Sequence, residues 1–257
     1  MSIDRTLLRR YFRQLGDLGI DEICFDGITA KEAVAAVSGH RSIARVADTL
    51  QAATTRSPAV VTAVGSLPAG EAAVRLQVLA DAAAVCTRCG LHATRSTVVF
   101  GEGSATADVV VVGEAPGREE DRTGRPFVGR AGKLLDLLLA SAGFPRAEVY
   151  ICNVLKCRPP ENRNPLPTEV SPCTTNFLHG QVEAIAPRVL LAVGKFAAQA
   201  LLETEESIGR LRGRVHEYRG IPLVVTYHPA YLLRSPQLTR TAWQDFQLVR
   251  RVLDEQT

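Results

Sequence analysis

The stretch DVVVVGEAPGREED, Asp108 to Asp121, joins a strand pattern to an acidic turn. Four consecutive valines without polar alternation are typical of a strand that is buried on both faces of a parallel sheet. The turn spaces Gly113 and Gly117 as G-x-x-x-G, so it matches neither the dinucleotide-binding G-x-G-x-x-G nor the phosphate loop with its lysine. Four carboxylates crowd this turn and the residues after it: Glu114, Glu119, Glu120 and Asp121. These negative charges disfavour a phosphate ligand and predict a partner that becomes positively charged.

Three more short apolar runs follow along the chain, and helical patterns separate them. The runs are Val149 to Val154, Val189 to Val193 and Pro222 to Thr226. The helical patterns cover residues 131–142, 171–185, 196–202 and 241–253. This alternation predicts an α/β fold with three α/β/α layers and a central, mainly parallel four-stranded sheet. Ligands of such sheets bind beyond the carboxyl ends of the strands, where the acidic turn, Asn153 and His228 all fall.

The N-terminal part of the chain differs from this α/β body. Residues 1–51 have the spacing of an amphipathic helix and predict a helical N-terminal extension. Residues 52–70 are small, almost uncharged and contain Pro and Gly, so we expect a flexible linker there. Residues 71–257 then form the main domain.

Composition sets limits on the class of protein. The 257 residues are 46% hydrophobic, which is enough for a real core. Lysine and arginine exceed aspartate and glutamate by 30 to 27, a balance that is compatible with nucleic acid but too weak to require it. No run approaches eighteen apolar residues, and the first residues lack the apolar centre of a signal peptide. We therefore expect a cytoplasmic protein with no membrane partner.

Four of the six cysteines form a spacing typical of a metal site. They are Cys86-x2-Cys89 and Cys157-x15-Cys173. Cys86 and Cys89 lie in a turn-like CTRCG, and Cys157 precedes the loop RPPENRNPLP, which is unsuited to a hydrophobic core. Reduced core cysteines are the alternative, and we assign that role to Cys24 and Cys152. Zinc and an iron–sulfur cluster both accept four thiolates, so the spacing leaves the two open.

The fourth cysteine has a second predicted feature. Ser171 and Pro172 precede Cys173 and have the residue types of an N-cap and first helical position. A helix that began there would place its positive dipole end beside the Cys173 thiolate and favour it.

Three single residues near the expected ligand edge are candidates for binding. Phe127 lies in the Gly- and Arg-rich loop RTGRPFVGRAG, where an aromatic face would suit a stacked base. Asn153 ends an apolar strand, where an amide is costly unless its polar atoms are paired. His228 directly follows a strand and is a candidate hydrogen-bond donor. A core phenylalanine, a satisfied structural asparagine and a surface histidine are the respective alternatives.

Basic residues near these loops predict contacts to DNA phosphates. The segment GRLRGR at 209–214 contains Arg210, Arg212 and Arg214, and Arg234 follows His228. Glycines leave backbone N–H groups accessible, and these groups and guanidinium groups both bind phosphates, which with the sugars receive about half to two-thirds of protein–DNA hydrogen bonds. Scattered solvated arginines are the alternative.

Four motifs in this order resemble family 4 of the uracil-DNA glycosylases. They are GEAPG with the following Glu120-Asp121, then GRPFVGRAG, then CNVLKCRPPENRNP, and then HPAYLLR, and the four-cysteine spacing matches as well. The resemblance covers about residues 75–253. It implies a structural [4Fe-4S] cluster on the four cysteines named above, with zinc as the alternative.

The resemblance also implies roles for the candidate residues. Uracil, flipped out of the strand, would stack on Phe127, and Asn153 would bond its O4 and N3–H edge. The turn Glu114-Ala115-Pro116 would close the pocket, and His228 would donate a hydrogen bond to O2 of the departing base.

Ala115 stands where related families have an aspartate or asparagine that assists the attacking water. Another carboxylate must then act, and Glu120 is our first choice, with Glu114 and Asp121 as alternatives. The positive partner predicted for the acidic turn would be the deoxyribose as its bond to uracil ionises. Leu232, Leu233 and Arg234 resemble the loop that inserts into the duplex.

The predicted function is therefore hydrolysis of the N-glycosidic bond of uracil in DNA, which leaves an abasic site. We expect a monomer that acts on single- or double-stranded DNA. A non-catalytic iron–sulfur module that only binds DNA is the main alternative, and a nucleotide-binding α/β regulator is disfavoured by the acidic turn.

Overall fold

A computed structural model describes residues 68–256 of the chain, and the elements below lie in that part. The strands are β1 Glu102–Gly103, β2 Val109–Gly113, β3 Tyr150–Asn153, β4 Val189–Val193, β5 Val215–Tyr218 and β6 Ile221–Thr226. The helices are α1 Ala69–Ala84, α2 Arg118–Thr123, α3 Arg130–Ser141, α4 Pro167–Cys173, α5 His179–Ile185, α6 Lys195–Leu202, α7 Ile208–Leu211, α8 Pro229–Leu232 and α9 Thr239–Asp254. Single 3₁₀ turns lie at Gly90–Ala93, Arg146–Glu148, Pro160–Asn162 and Pro236–Leu238.

The sheet has the order β1-β3-β2-β4-β6-β5. Its four inner strands are parallel, with Val111 of β2 opposite both Ile151 of β3 and Leu191 of β4. The predicted four parallel strands are therefore confirmed. The antiparallel edge strands β1 and β5 were not predicted, because β1 has two residues and β5 is largely exposed, so neither has an apolar run.

Helices cover both faces of the sheet, as the predicted three layers require. Alternate residues along β2 point to opposite faces: Val110 and Val112 pack in one core and Val109 and Val111 in the other. The first core also contains residues of α5 and α6, and the second contains residues of α3 and α9. All five residues of β2 are buried, which explains its uninterrupted valines.

Helix α4 begins earlier than the sequence pattern predicted. Its first residue is Pro167, and Glu169 in the third position accepts a hydrogen bond from the Leu166 N–H at 2.9 Å. Pro172 therefore lies inside the helix, and Cys173 ends it before a π-helical turn at Thr174–Leu178 leads into α5. The predicted helix start at Ser171 is wrong, and so is the predicted dipole stabilisation of the Cys173 thiolate. Burial instead raises the pKa of this thiol to about 11.

The structure reaches only the edge of the predicted N-terminal regions. The extension at 1–51 and most of the linker at 52–70 lie outside the described residues, and α1 begins at Ala69. Helix α1 packs on α5, where Gly180 has no side chain and leaves room for Leu79. Within residues 68–256, none of the helices is long and apolar enough to span a membrane.

Candidate active site

A polar cluster lies at the carboxyl edge of the sheet, where β2, β3 and β6 end. Gly113 ends β2 directly opposite Asn153 at the end of β3, and His228 follows Thr226, the last residue of β6. The parallel arrangement of these strands brings their ends to one side of the sheet. This is the edge at which α/β proteins bind ligands.

Gly113 is the point at which Asn153 and Phe127 come together. A Cβ atom at this position would collide with Asn153 Oδ1 and would lie 2.6 Å from Phe127 Cζ. The Phe127 ring in turn lies 5.8 Å from the His228 ring, centroid to centroid, with a tilt of 31°. The structure therefore brings together Phe127, Asn153 and His228, which come from three distant segments of the chain.

Asn153 has a buried amide with an open hydrogen-bonding position. The residue is 1% exposed, and its Oδ1 atom has no hydrogen-bond partner among the described residues. A buried acceptor without a partner costs about 1–3 kcal/mol in a folded protein. Such an orphaned atom at a ligand-binding edge indicates that a ligand supplies the missing donor.

His228 is held as a neutral ring. It is the N-cap residue of α8, and its Nδ1 atom accepts a hydrogen bond from the Ala230 N–H at 3.1 Å. In the neutral ring the proton must then sit on Nε2, which becomes a donor. Burial and then the positive charge of Arg234 lower the pKa of His228 to about 4. Gly194, at a φ of +103°, leaves room for the ring, since a Cβ there would lie 3.0 Å from His228 Cβ.

The Phe127 loop is held from one side by Glu120. Phe127 has a φ of +50°, a conformation that bulky residues rarely adopt and that often marks a functional position. Glu120 Oε1 accepts hydrogen bonds from the N–H groups of Val128 at 2.9 Å and Gly129 at 3.0 Å, and its Oε2 accepts one from Gly117 at 3.1 Å. Glu120 thus ties the acidic turn to the loop that presents Phe127.

Arg146 holds the same loop from the other side. Its guanidinium donates to the carbonyl oxygens of Pro126 at 2.6 Å and Phe127 at 3.2 Å. It also forms ion pairs with Glu102 at 2.6 Å and Asp136 at 2.7 Å, which keep it in place. This role of Arg146 was not predicted from the sequence, because nothing in its local sequence distinguishes it from a solvated arginine.

The remaining carboxylates of the acidic turn have different surroundings. Asp121 is buried and accepts a hydrogen bond from the Ser96 N–H at 2.9 Å. The Glu114 carboxylate has no hydrogen-bond or ion-pair partner among the described residues, although the backbone carbonyl of Glu114 accepts from the Leu155 N–H at 3.0 Å. Burial raises the pKa of Glu114 to about 7. Of the three carboxylates considered for water activation, Glu120 and Asp121 are therefore engaged by backbone N–H groups, whereas Glu114 is available for proton transfer near neutral pH.

The turn also touches the region of the cysteines. Pro116 is buried, and Ala115 packs against a small core formed by Leu91, Leu155 and Cys157. Any group that orders this small core would also support the backbone of the acidic turn.

The four cysteines of the predicted metal site line one cavity. Two of the sulfurs already accept hydrogen bonds: Cys157 Sγ from the Arg95 guanidinium and Cys173 Sγ from the Lys156 N–H, both at 3.3 Å. Donors of this kind stabilise thiolate ligands. Within residues 68–256, no group of three or more Cys, His, Asp or Glu side chains is arranged around one point as a single metal ion requires.

Lys156 connects this cavity to the carboxyl edge of the sheet. It is 1% exposed and lines the cysteine cavity, and its Nζ donates to the Asn153 carbonyl at 2.6 Å and to Gln181 Oε1. Gln181 continues the network by donating to Phe100 O at 2.9 Å and Tyr150 Oη at 3.1 Å. Lys156 was not predicted as a buried donor, although a lysine inside the apolar run VYICNVLKC was a signal for this role.

Two predicted DNA contacts do not fit their surroundings. Leu232 is 1% exposed and packs in the core with α3 and α9, so it is not available to insert into DNA. The Arg212 guanidinium donates to Asp245 at 2.8 and 3.1 Å and is only 16% exposed. Arg210, Arg214 and Arg234 are exposed, and Leu233 is partly buried against the core.

Comparison with known proteins identifies the class to which this fold and site belong. Residues 100–247 match the family described as the Uracil DNA glycosylase superfamily. This segment, which is more than half of the chain, contains all six strands of the sheet and all of the residues described at its carboxyl edge. The chain therefore belongs to this superfamily.

Within the superfamily, the chain is similar to type-4 uracil-DNA glycosylases. It is 46% identical over 172 residues to the enzyme of Archaeoglobus fulgidus, an alignment that covers 64% of this chain and 86% of the relative. It is 43% identical over 185 residues to that of Thermotoga maritima, covering 70% of this chain and 96% of the relative. A type-5 uracil-DNA glycosylase of Pyrobaculum aerophilum is 35% identical over 147 residues.

Proposed function

We propose that this protein removes uracil from DNA by hydrolysing the N-glycosidic bond, which leaves an abasic site. The observation that supports this most directly is the buried Asn153 amide, whose Oδ1 atom lacks a partner beside the Phe127 ring. The similarity to type-4 uracil-DNA glycosylases over most of their length is consistent with this activity.

Base selection follows from the hydrogen-bonding groups of Asn153. With uracil stacked on Phe127, Oδ1 of Asn153 accepts the N3–H of the base and Nδ2 donates to O4. Cytosine has no N3–H and carries an amino group in place of O4, so both Asn153 groups would stay unpaired. A site built to pair such groups rejects an analogue that leaves them buried and unpaired. The flipped geometry is required because these atoms are inaccessible inside the duplex.

His228 stabilises the leaving base. As the bond to the sugar breaks, uracil gains negative charge on O2, and the Nε2–H of the neutral His228 donates a hydrogen bond to it. Because the pKa of His228 is lowered to about 4, the ring acts as an electrophile without releasing a proton at neutral pH. A donor fixed in this way lowers the barrier by about 3 kcal/mol.

Glu114 is the carboxylate that we assign to the sugar side of the reaction. Its partly buried charge would stabilise the oxocarbenium-like deoxyribose, and its pKa of about 7 suits it to accept a proton from the attacking water. Glu120, the first choice from the sequence, has both oxygens committed to three backbone N–H groups. We therefore assign Glu120 to positioning the Phe127 loop and Glu114 to catalysis.

The chemistry of the cavity supports a [4Fe-4S] cluster as the resident cofactor, with zinc as the alternative. Cys86, Cys89, Cys157 and Cys173 would hold it. Four thiolates are the ligand set that such a cluster would use, and zinc accepts the same set. When bound, the cluster would cross-link the loop after α1, the loop after β3 and the end of α4, a structural contribution. A brown protein that absorbs near about 400 nm would support the cluster, and a colourless protein with stoichiometric zinc would refute it.

DNA would approach the carboxyl edge of the sheet. Arg210, Arg214 and Arg234 are exposed near this edge and are suited to phosphate contacts. Strand preference, a monomeric state and a cytoplasmic location remain predictions from the sequence.

The decisive experiment is cleavage of an oligonucleotide that contains one uracil, followed by alkali to break abasic sites. The matched oligonucleotide with thymine should stay intact. Asn153→Ala and His228→Ala should each lower the rate by about 100-fold, since each removes a fixed hydrogen bond of about 3 kcal/mol in the transition state. Tight binding of the uracil strand without any abasic product would favour the non-catalytic DNA-binding alternative.

A further inference from the structure

An exposed aromatic residue lies beside the candidate site, and the proposed function does not use it. Tyr231 is 42% exposed, whereas most aromatic residues of the described chain are buried or partly buried. It lies on α8, three residues after His228. An exposed tyrosine in a basic region near a DNA-binding edge has the chemistry of a base-stacking platform.

The side chain of Tyr231 belongs to a row of adjacent aromatic and cationic groups. Its ring lies 5.7 Å from that of Tyr227, with a tilt of 43°. The Arg234 guanidinium carbon lies 6.0 Å from the centre of the Tyr231 ring, and that of Arg212 lies 5.4 Å from the centre of the Tyr227 ring. Arg212 is fixed by its ion pair with Asp245, so the row is anchored at one end and exposed at the other.

The backbone links Tyr231 rigidly to His228. The Tyr231 N–H donates to the His228 carbonyl at 2.8 Å, and the Arg234 and Ser235 N–H groups donate to the Tyr231 carbonyl at 3.0 Å. A single helical turn therefore carries both the donor for the leaving base and the exposed ring. Neither neighbouring leucine offers a comparable exposed surface, because Leu232 is in the core and Leu233 packs against it.

We infer that Tyr231 is the residue that inserts into or stacks within the duplex and stabilises the extruded state, while Arg234 contacts the adjacent phosphate. This inference rests on the proposed function. The ring would replace the stacking that the flipped base loses, so its contribution should be large in a duplex and small on a single strand, where no stacked pair has to be opened. Because Tyr231 and His228 share one turn, insertion of the ring would place the Nε2–H donor at the base.

The test compares cleavage of uracil in duplex and single-stranded DNA by wild type, Tyr231→Ala and Tyr231→Phe. Tyr231→Ala should lower kcat/KM on the duplex about tenfold, as expected from the loss of one aromatic–base stack, with a smaller loss on the single strand. Tyr231→Phe should retain the wild-type ratio of the two rates, since it keeps the ring. Val78→Ala, at an exposed position of α1, is the matched control and should change neither rate.

A second measurement follows extrusion without cleavage. A duplex with 2′-fluoro-deoxyuridine, whose glycosidic bond resists cleavage, and a neighbouring 2-aminopurine should brighten when wild type flips the base and brighten less with Tyr231→Ala. The inference would be overturned if Tyr231→Ala left both the ratio of the duplex to the single-strand cleavage rate and the fluorescence unchanged. It would also be overturned if Leu233→Ala, and not Tyr231→Ala, lowered kcat/KM on the duplex. Absence of cleavage by wild type on both substrates would instead overturn the proposed function. Loss of folding in Tyr231→Ala would leave Tyr231→Gln, which keeps an extended side chain beside Tyr227 but has neither an aromatic face nor an apolar wedge, to decide between these outcomes.

Discussion

Replacing Glu114 by glutamine should make the protein more stable and less active. The change keeps the shape of the side chain and removes its charge. Burial raises the pKa of Glu114 from 4.5 to about 7, which means that the folded state disfavours the carboxylate. In the proposed mechanism catalysis uses this charge, so we expect the wild-type protein to be less stable than a variant with an uncharged group at this position.

The magnitude follows from the rise in the pKa. At about 1.36 kcal/mol for each pH unit, the rise from 4.5 to about 7 corresponds to about 3.4 kcal/mol above pH 7. The side chain is partly exposed to water, so we reduce this to about 2 kcal/mol. Because the pKa of the folded state is raised, the favourable contribution is complete below pH 4.5 and is lost as the pH rises to 7. Glu114→Gln should therefore raise Tm by about 4–8 °C at pH 8 and by much less at pH 5.

The same variant should change the pH dependence of cleavage. In the wild type, kcat/KM should fall about tenfold for each pH unit below about 7, as Glu114 becomes protonated. His228 does not contribute to this fall between pH 5 and 8, because its pKa is lowered to about 4. Glu114→Gln should lower the rate at pH 8 by about 100-fold and remove the acid limb.

Thermal melts and cleavage rates at pH 5 to 8 measure both effects on one set of proteins. Glu119→Gln is the matched control, because Glu119 is exposed on α2 and, within the described residues, its carboxylate pairs with Arg122 alone. It should change neither Tm by more than about 1 °C nor the acid limb. A Glu114→Gln protein that is less stable than wild type at pH 8, or one that keeps the acid limb, would refute the assignment.

Two further substitutions test the residues that hold the site together. Glu120→Ala should lower stability by about 2–4 kcal/mol and should also lower cleavage, since it removes two hydrogen bonds from the Phe127 loop and one from the acidic turn. Glu120→Gln, which keeps one acceptor oxygen, should lose less of each. Equal activity loss in the two variants would indicate a base in place of a positioning residue. Lys156→Met should cost about 1–3 kcal/mol in urea denaturation, because it leaves Gln181 Oε1 and the Asn153 carbonyl without their donor. A more stable Lys156→Met protein would contradict this network.

The strands and the edge of the site were predictable because their signals are local. A strand buried on both faces needs an uninterrupted apolar run, and β2 and β4 have one. The residues that follow parallel strands lie at one edge of the sheet. The sequence therefore predicts that Asn153 and His228 lie at the same edge. The motifs that resemble family 4 uracil-DNA glycosylases are similarly short and continuous.

The partners of individual polar groups were not predictable. Glu120 and Glu114 lie in the same acidic stretch, yet backbone N–H groups of the Phe127 loop engage only Glu120. Ser171 and Pro172 have the residue types of a helix start, but the helix begins five residues earlier, with Pro167 in its first position and Glu169 in its third. Local patterns record residue type and spacing, and they do not record which of two similar signals is used.

The amino-acid sequence alone determined the α/β class, the four parallel strands and the chemical types at their carboxyl ends, because burial of a strand restricts every residue along it. Only the tertiary structure decided which carboxylate stays free, that Leu232 belongs to the core and that Tyr231 faces solvent. Those outcomes depend on packing and hydrogen bonds between segments that are far apart in the chain. Such contacts do not produce a periodic pattern of residue types in either segment.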